Sequence, residues 1–187
     1  MMPRRLRRLG YLKSAFSILT VLLALTTGCT APPAEGWTLF TDSKEGIQFL
    51  SAGTPDKSQD ESSDRTTITW SFAHFEDGTS GFVDATRMKD GSFAGFDVLR
   101  QAADLRLGVE RSGKTRVMEE RSVSVSGAPA IEFRTETLTS KGSTWYGVLR
   151  MLVLGETLYT VGITSPNPST FEKEEIQTFL DSLRVLE

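Results

Sequence analysis

Ser143-Thr144-Trp145-Tyr146-Gly147-Val148-Leu149-Arg150-Met151-Leu152-Val153-Leu154, continued after Gly155-Glu156 by Thr157-Leu158-Tyr159-Thr160-Val161-Gly162-Ile163-Thr164, is the stretch that decides the fold. Alternate residues of a strand point to opposite faces. In Ser143–Leu154 one side reads Trp145, Leu149, Met151 and Val153, and the other Tyr146, Val148, Leu152 and Leu154. A strand apolar on both sides needs cover on both faces. It is therefore predicted to lie centrally in a sheet with a layer above and a layer below.

Moving upstream, Thr115–Ser126 and Ala130–Thr139 are two more strand-like runs, joined by Gly127-Ala128-Pro129 and then Ser140-Lys141-Gly142. Four strands with such short connections predict an antiparallel meander. Further out, Thr66–Phe75 places Ile68, Trp70, Phe72 and His74 on one side. The turn residues Asp77-Gly78-Thr79-Ser80-Gly81 then lead back into a paired strand, Phe82–Arg87. Near the start of the domain Trp37–Phe40 and Ile47–Leu50 form a hairpin across Asp42–Gly46, and Ser51–Asp64, polar and without apolar periodicity, is predicted to be a mobile loop.

The period changes twice. From Ser92, the residues Phe96, Leu99, Ala103 and Leu107, flanked by Val98, Ala102 and Val109, follow helical spacing as far as Ser112-Gly113. Near the end, Asn167-Pro168-Ser169 opens a second helix, capped by Asn167 with Pro at the first position or by a Ser169/Glu172 capping box. Its buried stripe is Ile176, Phe179, Leu180 and Leu183. The expected class is α+β, a layered sandwich: a mainly antiparallel sheet of six or more strands with two helices packed on it.

The first 28 residues read differently. Arg4, Arg5, Arg7, Arg8 and Lys13 precede an uncharged apolar run, Ala15–Leu25. That run is shorter than the about 20 residues of a membrane span and suits an export signal, whose core needs roughly 7 to 15. Leu25-Thr26-Thr27-Gly28-Cys29 resembles the lipobox of bacterial lipoproteins, although Thr26 stands where an aliphatic residue is usual. The resemblance implies thioether lipidation of Cys29 and cleavage before it. A lone cysteine in an exported chain is otherwise an oddity, and one cysteine allows no internal disulfide. The expected organisation is a signal peptide (1–28), a lipidated Cys29 with a short tether (29–36) and one domain (37–187). Thr30 after the cysteine, in place of a retaining Asp, implies outer-membrane sorting in a cell with two membranes.

Without the five basic residues of the signal, 16 Lys and Arg face 24 Asp and Glu, a formal charge of 16 − 24 = −8. That balance argues against nucleic acid and against electrostatic docking on anionic lipid. Membrane attachment is expected to rest on the acyl chains.

Gly127-Ala128-Pro129-Ala130-Ile131-Glu132-Phe133, Leu154-Gly155-Glu156-Thr157-Leu158-Tyr159-Thr160-Val161 and Phe179-Leu180-Asp181-Ser182-Leu183-Arg184-Val185 resemble the closing half of PsbP-like domains, named for the extrinsic photosystem II protein. The opening Gly46-Ile47-Gln48-Phe49 with Pro55 is similar as well. The resemblance implies a non-enzymatic assembly, docking or stabilising role and supplies no active-site residue, metal ligand or cofactor to carry over.

The chemistry-bearing residues agree. His74 is the single histidine, which excludes multi-histidine metal sites. Gly91-Ser92-Phe93-Ala94-Gly95 has its serine one place early for a nucleophile elbow, and no phosphate loop, dinucleotide fingerprint or calcium loop occurs. Glu119-Glu120 and Glu172, Glu174 and Glu175 suit a solvated face. Trp70, Trp145 and Tyr159 suit the core, or else a ligand pocket between helix and sheet. The expectation is a membrane-anchored, non-catalytic module with an envelope protein as partner. The alternatives are a small-ligand binder and, more remotely, an envelope hydrolase.

Overall fold

In the computed structural model, residues 36–73 and 78–186 are described. Cys29, His74 and the turn up to Asp77 therefore lie outside the described residues. The alternating segments become two antiparallel sheets. The smaller joins β1 (Trp37–Asp42), β2 (Ile47–Ala52) and β10 (Arg184–Val185) in the order β1-β2-β10. The larger is built from β3 (Asp56–Glu61), β4 (Arg65–Ala73), β5 (Ser80–Met88), β6 (Thr115–Val125), β7 (Ala128–Leu138), β8 (Thr144–Leu154) and β9 (Thr157–Ser165). Its order is β3-β4-β5-β9-β8-β7-β6. The meander β6 to β9 is present as predicted, and β9 then closes onto β5, placing Val161 opposite Val83. With α1 (Ala102–Glu110) and α2 (Glu174–Leu180) packed on the larger sheet, the protein is an α+β layered structure.

The core lies on one face of the seven-stranded sheet, here called the inner face. Ile68, Trp70, Val83, Val148, Leu152, Val161 and Ile163 rise from the sheet to meet Ile47 and Phe49 of β2 and Ile176, Phe179 and Leu180 of α2. Trp37, Phe72 and Phe179 meet with ring centroids 5.3–5.7 Å apart. These rings lie between α2 and the sheet, the interval where a ligand pocket is one expectation. Each large side chain buried there contributes about 1.5–3 kcal/mol.

The opposite, outer face is covered at its β6–β7 end by α1, through Ala102, Leu105 and Val109 against Val117, Ile131, Phe133 and Met151. Strand β8 is central in the sheet and buried on its inner face through Val148, Arg150 and Leu152, but its outer residues Trp145, Leu149, Met151 and Val153 are half-buried, and of these Met151 packs against the α1 cluster.

Three expectations need correction. The predicted loop 51–64 contains β3, which pairs in register with β4 from Asp56↔Ser71 to Glu61↔Thr66. All six of its residues are exposed. An edge strand facing solvent has no apolar period to reveal it, and its charges discourage pairing with another chain.

The first helix is shorter than predicted and turned to another face. Asp97 Oδ1 accepts from the Leu99 and Arg100 amides at 3.0 and 3.2 Å, which holds residues 97–100 in a turn and delays the helix to Ala102. The buried stripe is Val98, Ala102, Leu105 and Val109, while Leu99 is 40% and Leu107 66% exposed.

The last helix is divided. Asn167 Oδ1 accepts from the Ser169 amide at 3.1 Å and caps a 3-10 helix, Pro168–Glu172. Extended backbone at Lys173 then separates it from α2. Ile176, Phe179, Leu180 and Leu183 are buried as expected.

Candidate functional site

Two charged constellations are built on the inner face, and the sequence reading named neither. Glu132 on β7 is completely buried. Its Oε1 accepts from Arg121 Nε and Nη2 at 2.8 and 2.7 Å, and its Oε2 from Arg150 Nε at 2.7 Å. Arg150, opposite Glu132 in the β7–β8 register, extends the chain of contacts to α2. Its Nη1 donates to Asp181 at 2.5 Å and its Nη2 to Gln177 Oε1 at 2.8 Å. Gln177 in turn donates to the Phe171 carbonyl. Arg134 joins at the rim, 3.7 Å from Glu132 and 3.2 Å from Glu172.

A β-bulge makes this arrangement. Register shifts between Val117 and Glu119, so Val117 faces α1 while Arg121, Val123 and Val125, of the same sequence parity, face the core. A bulge adds one residue to one strand and reverses the faces beyond it. One signal was readable beforehand: Glu132 and Arg150 occupy core-face positions between Ala130 and Arg134 and between Val148 and Leu152. Buried charges require partners. Both oxygens of Glu132 are engaged by guanidinium groups, which fixes the carboxylate in place between β6 and β8.

The second constellation ties the small sheet to the large one. Lys57 Nζ donates to Asp42 Oδ2 at 2.8 Å and to Glu45 at 3.2 Å, and lies 5.3 Å over the Trp70 ring. Trp70 Nε1 donates to the same Asp42 oxygen at 3.1 Å. Burial would raise the Asp42 carboxyl, but the hydrogen bonds from Lys57, the Glu45 amide and Trp70 outweigh it and hold it below the usual value. Hydrogen bonding to Asp42 raises Lys57 in return. Arg87 reaches Glu45 at 3.3 Å.

Of the aromatic residues singled out in the sequence, Trp70 and Tyr159 are core residues and Trp145 is half-buried. Glu119 and Glu172 are rim partners of Arg134. Among the described residues no group of three or more His, Cys, Asp or Glu is placed to hold a metal ion. No described helix is long and apolar enough to cross a membrane.

The outer face of β4, β5 and β9 carries a third arrangement. Thr67, Thr69 and Ser71 of β4 stand beside Thr86, Asp84 and Phe82 of β5, and these beside Leu158, Thr160 and Gly162 of β9. Cross-strand hydroxyls pair: Thr67 with Thr86 at 3.1 Å, and Ser80 with Thr164 at 3.0 Å. Thr69 Oγ1 donates to Asp84 Oδ1 at 2.6 Å. A Cβ on Gly162 would fall 2.3 Å from the Phe82 ring, so the ring crosses the glycine backbone. An open groove of about 310 Å³ begins here, at the ends of β3, β4 and β5, bordered by Asp56, Ser71, Ser80 and Phe82.

No protein-family model matches the sequence, and no curated protein matches it either. Solved structures do. A crystal structure of a protein from Bacteroides thetaiotaomicron VPI-5482 aligns with TM-score 0.50 and 8% identity over 81% of this chain, which spans only 49% of that one. The solution structure of cyanobacterial PsbP (CyanoP) from Synechocystis sp. PCC 6803 aligns with TM-score 0.55 and 11% identity, covering 84% of this chain and 96% of that one. Identities this low speak to architecture alone, and the architecture of this protein is a PsbP-like fold.

Proposed function

We propose that this protein is an envelope lipoprotein whose domain acts as a non-catalytic binding or assembly module. It is held to a membrane surface through acylated Cys29 and engages a protein of the same compartment. In a cell with two membranes its place is the outer membrane, facing the periplasm. The observation that carries the non-catalytic reading is the engagement of Glu132: the most deeply buried carboxylate has both oxygens fixed by Arg121 and Arg150 and serves to fasten α2 to the sheet. The resemblance of the sequence to PsbP-like domains implies a docking role, and the PsbP-like fold is consistent with that resemblance. The anchor is supported by the lipobox-like ending at the chain's single cysteine.

Cys29→Ala in the native host is expected to abolish incorporation of labelled fatty acid and to move the protein from the membrane fraction to the aqueous one. A labelled band persisting in that variant overturns the anchor. Cross-linking in intact cells, followed by solubilisation, is expected to capture a defined envelope protein with the wild-type chain. Absence of any specific adduct across growth conditions overturns the partner.

A further inference from the structure

Among the described residues, the helix on the outer face, α1, packs at its β6–β7 end, and the chemistry of the same face at β4, β5 and β9 is selective. The outward positions of these strands from Thr67 to Ser71, Ser80 to Thr86 and Thr160 to Thr164 include no lysine or arginine. Lys57 of the neighbouring edge strand turns to the inner face, over Trp70. A phosphate, sulfate or nucleic-acid ligand would meet carboxylates where it needs guanidinium or ammonium groups. A purely apolar ligand would leave unmet the hydrogen-bonding capacity that remains on these hydroxyls and on Asp84 beyond the bonds they make to one another. What the surface offers is a half-exposed aromatic ring, Phe82, set across Gly162, with Asp84 two residues along the same strand. Ser71 stands beside Phe82 on β4, and Ser80 two residues before it on β5.

That combination suits a neutral polyhydroxylated ring. The axial C–H face of a pyranose is slightly positive and matches the negative face of an aromatic ring. Its hydroxyls can donate to a carboxylate and both donate to and accept from serine and threonine. The groove of about 310 Å³ is at the small end of the roughly 300–1,000 Å³ usual for ligand sites, room for a short stretch of a longer chain. Asp84 is suited to the role, because it is half-buried and its hydrogen-bond partner, Thr69, engages only Oδ1.

We propose that this groove, together with the strip of the same face that continues from Phe82 to Asp84, binds a neutral saccharide chain, with Phe82 as the stacking platform, Ser71 and Ser80 as hydrogen-bonding partners in the groove and Asp84 as a partner beyond it. The inference goes beyond the module's anchoring and protein partner and does not depend on either.

The test is isothermal titration calorimetry on the full chain in detergent, against hexamers of neutral sugars: glucans, mannans, galactans and N-acetylglucosamine oligomers. At least one hexamer is expected to bind saturably. Phe82→Ala and Asp84→Asn should each weaken it at least tenfold, and Phe82→Trp should preserve it. Because Phe82→Ala also disturbs the Gly162 contact, Ser80→Arg provides a second route: it fills the groove from a half-exposed position and should abolish binding while near-ultraviolet circular dichroism stays native. Lys141→Ala, in the distant β7–β8 turn, should leave binding unchanged. The proposal is overturned if no neutral hexamer binds, or if binding survives Ser80→Arg and Asp84→Asn together. It is equally overturned if spermine or oligolysine binds in an Asp84-dependent manner while the sugars do not, since the face is then a dock for cations.

Discussion

Asp84 sits where burial pushes its carboxyl up, with the Thr69 hydroxyl partly offsetting the effect. The folded chain therefore holds the Asp84 proton to higher pH than the unfolded chain does. As pH rises from the unfolded value through the folded one, the folded state binds more protons and stability falls. Asp84→Asn is expected to raise the melting temperature at pH 7, and the advantage should shrink as the medium is acidified through the carboxylate range. An equal gain at pH 3 and pH 7, followed by differential scanning calorimetry, would show that charge is not the cause. Glu132 and Arg150 make the opposite case. Arg150→Ala leaves a fully buried carboxylate with half its guanidinium support and should cost about 3–5 kcal/mol in urea unfolding. Glu132→Leu with Arg150→Met removes both charges and should recover most of that loss. If the double variant is as unstable as the single, the pair contributes more than mutual compensation.

At the scale of elements, legibility followed burial. Strands β4, β5 and β7 to β9, and the stripe Ile176-Phe179-Leu180-Leu183, were readable because each buries one face or both, which imposes a period. Strand β3 was not, since nothing about its six exposed residues is periodic. The helical pattern beginning at Ser92 held two candidate stripes one residue apart, and the Asp97 turn selected the one containing Val98 and Ala102. The bulge after Val117 escaped notice for a related reason: Val117, Val123 and Val125 keep an unbroken alternation although the first faces α1 and the others the core. Without that slip Arg121 would point away from Glu132, so the buried ion network could not be read from spacing alone. The cap of the 3-10 helix was one of two readable options. Asn167→Ala should cost about 1 kcal/mol by chemical denaturation, whereas Ser169→Ala, which removes an exposed hydroxyl that donates to Asn167 Oδ1 at 2.9 Å but leaves the cap itself in place, should change stability by a few tenths.

For the whole molecule, the two ends of the seven-stranded sheet are protected in different ways. At one end β3 presents Asp56, Asp60 and Glu61. At the other, Glu110 of α1 reaches across and accepts the Val117 amide at 2.8 Å, and the bulge follows at once. An exposed sheet edge is a template for another strand. Glu110→Ala is therefore expected to lower the onset temperature of aggregation, as read by static light scattering, with little change in the far-ultraviolet spectrum. An unchanged onset would mean that the bulge alone guards this edge.

The pairing of β5 with β9 also sets a timetable. Strands β3 to β5 can form as one local unit and β6 to β9 as another, but Ser80–Arg87 meets its partner only at Thr157–Thr164, some 70 residues later in the chain. Contacts of such separation are formed slowly. A chain emerging from a ribosome or a translocon with its N-terminus leading exposes β5 for the whole interval, with Val83 and Ala85 uncovered. Within the seven-stranded sheet the last seam to close is the one through its middle, after which α2 docks on the inner face and β10 on β2. Chaperone dependence and proteolytic loss during biogenesis are accordingly expected to concentrate on the first half of the domain, and to end only when α2 closes over the seam at which Val161 rests beside Val83.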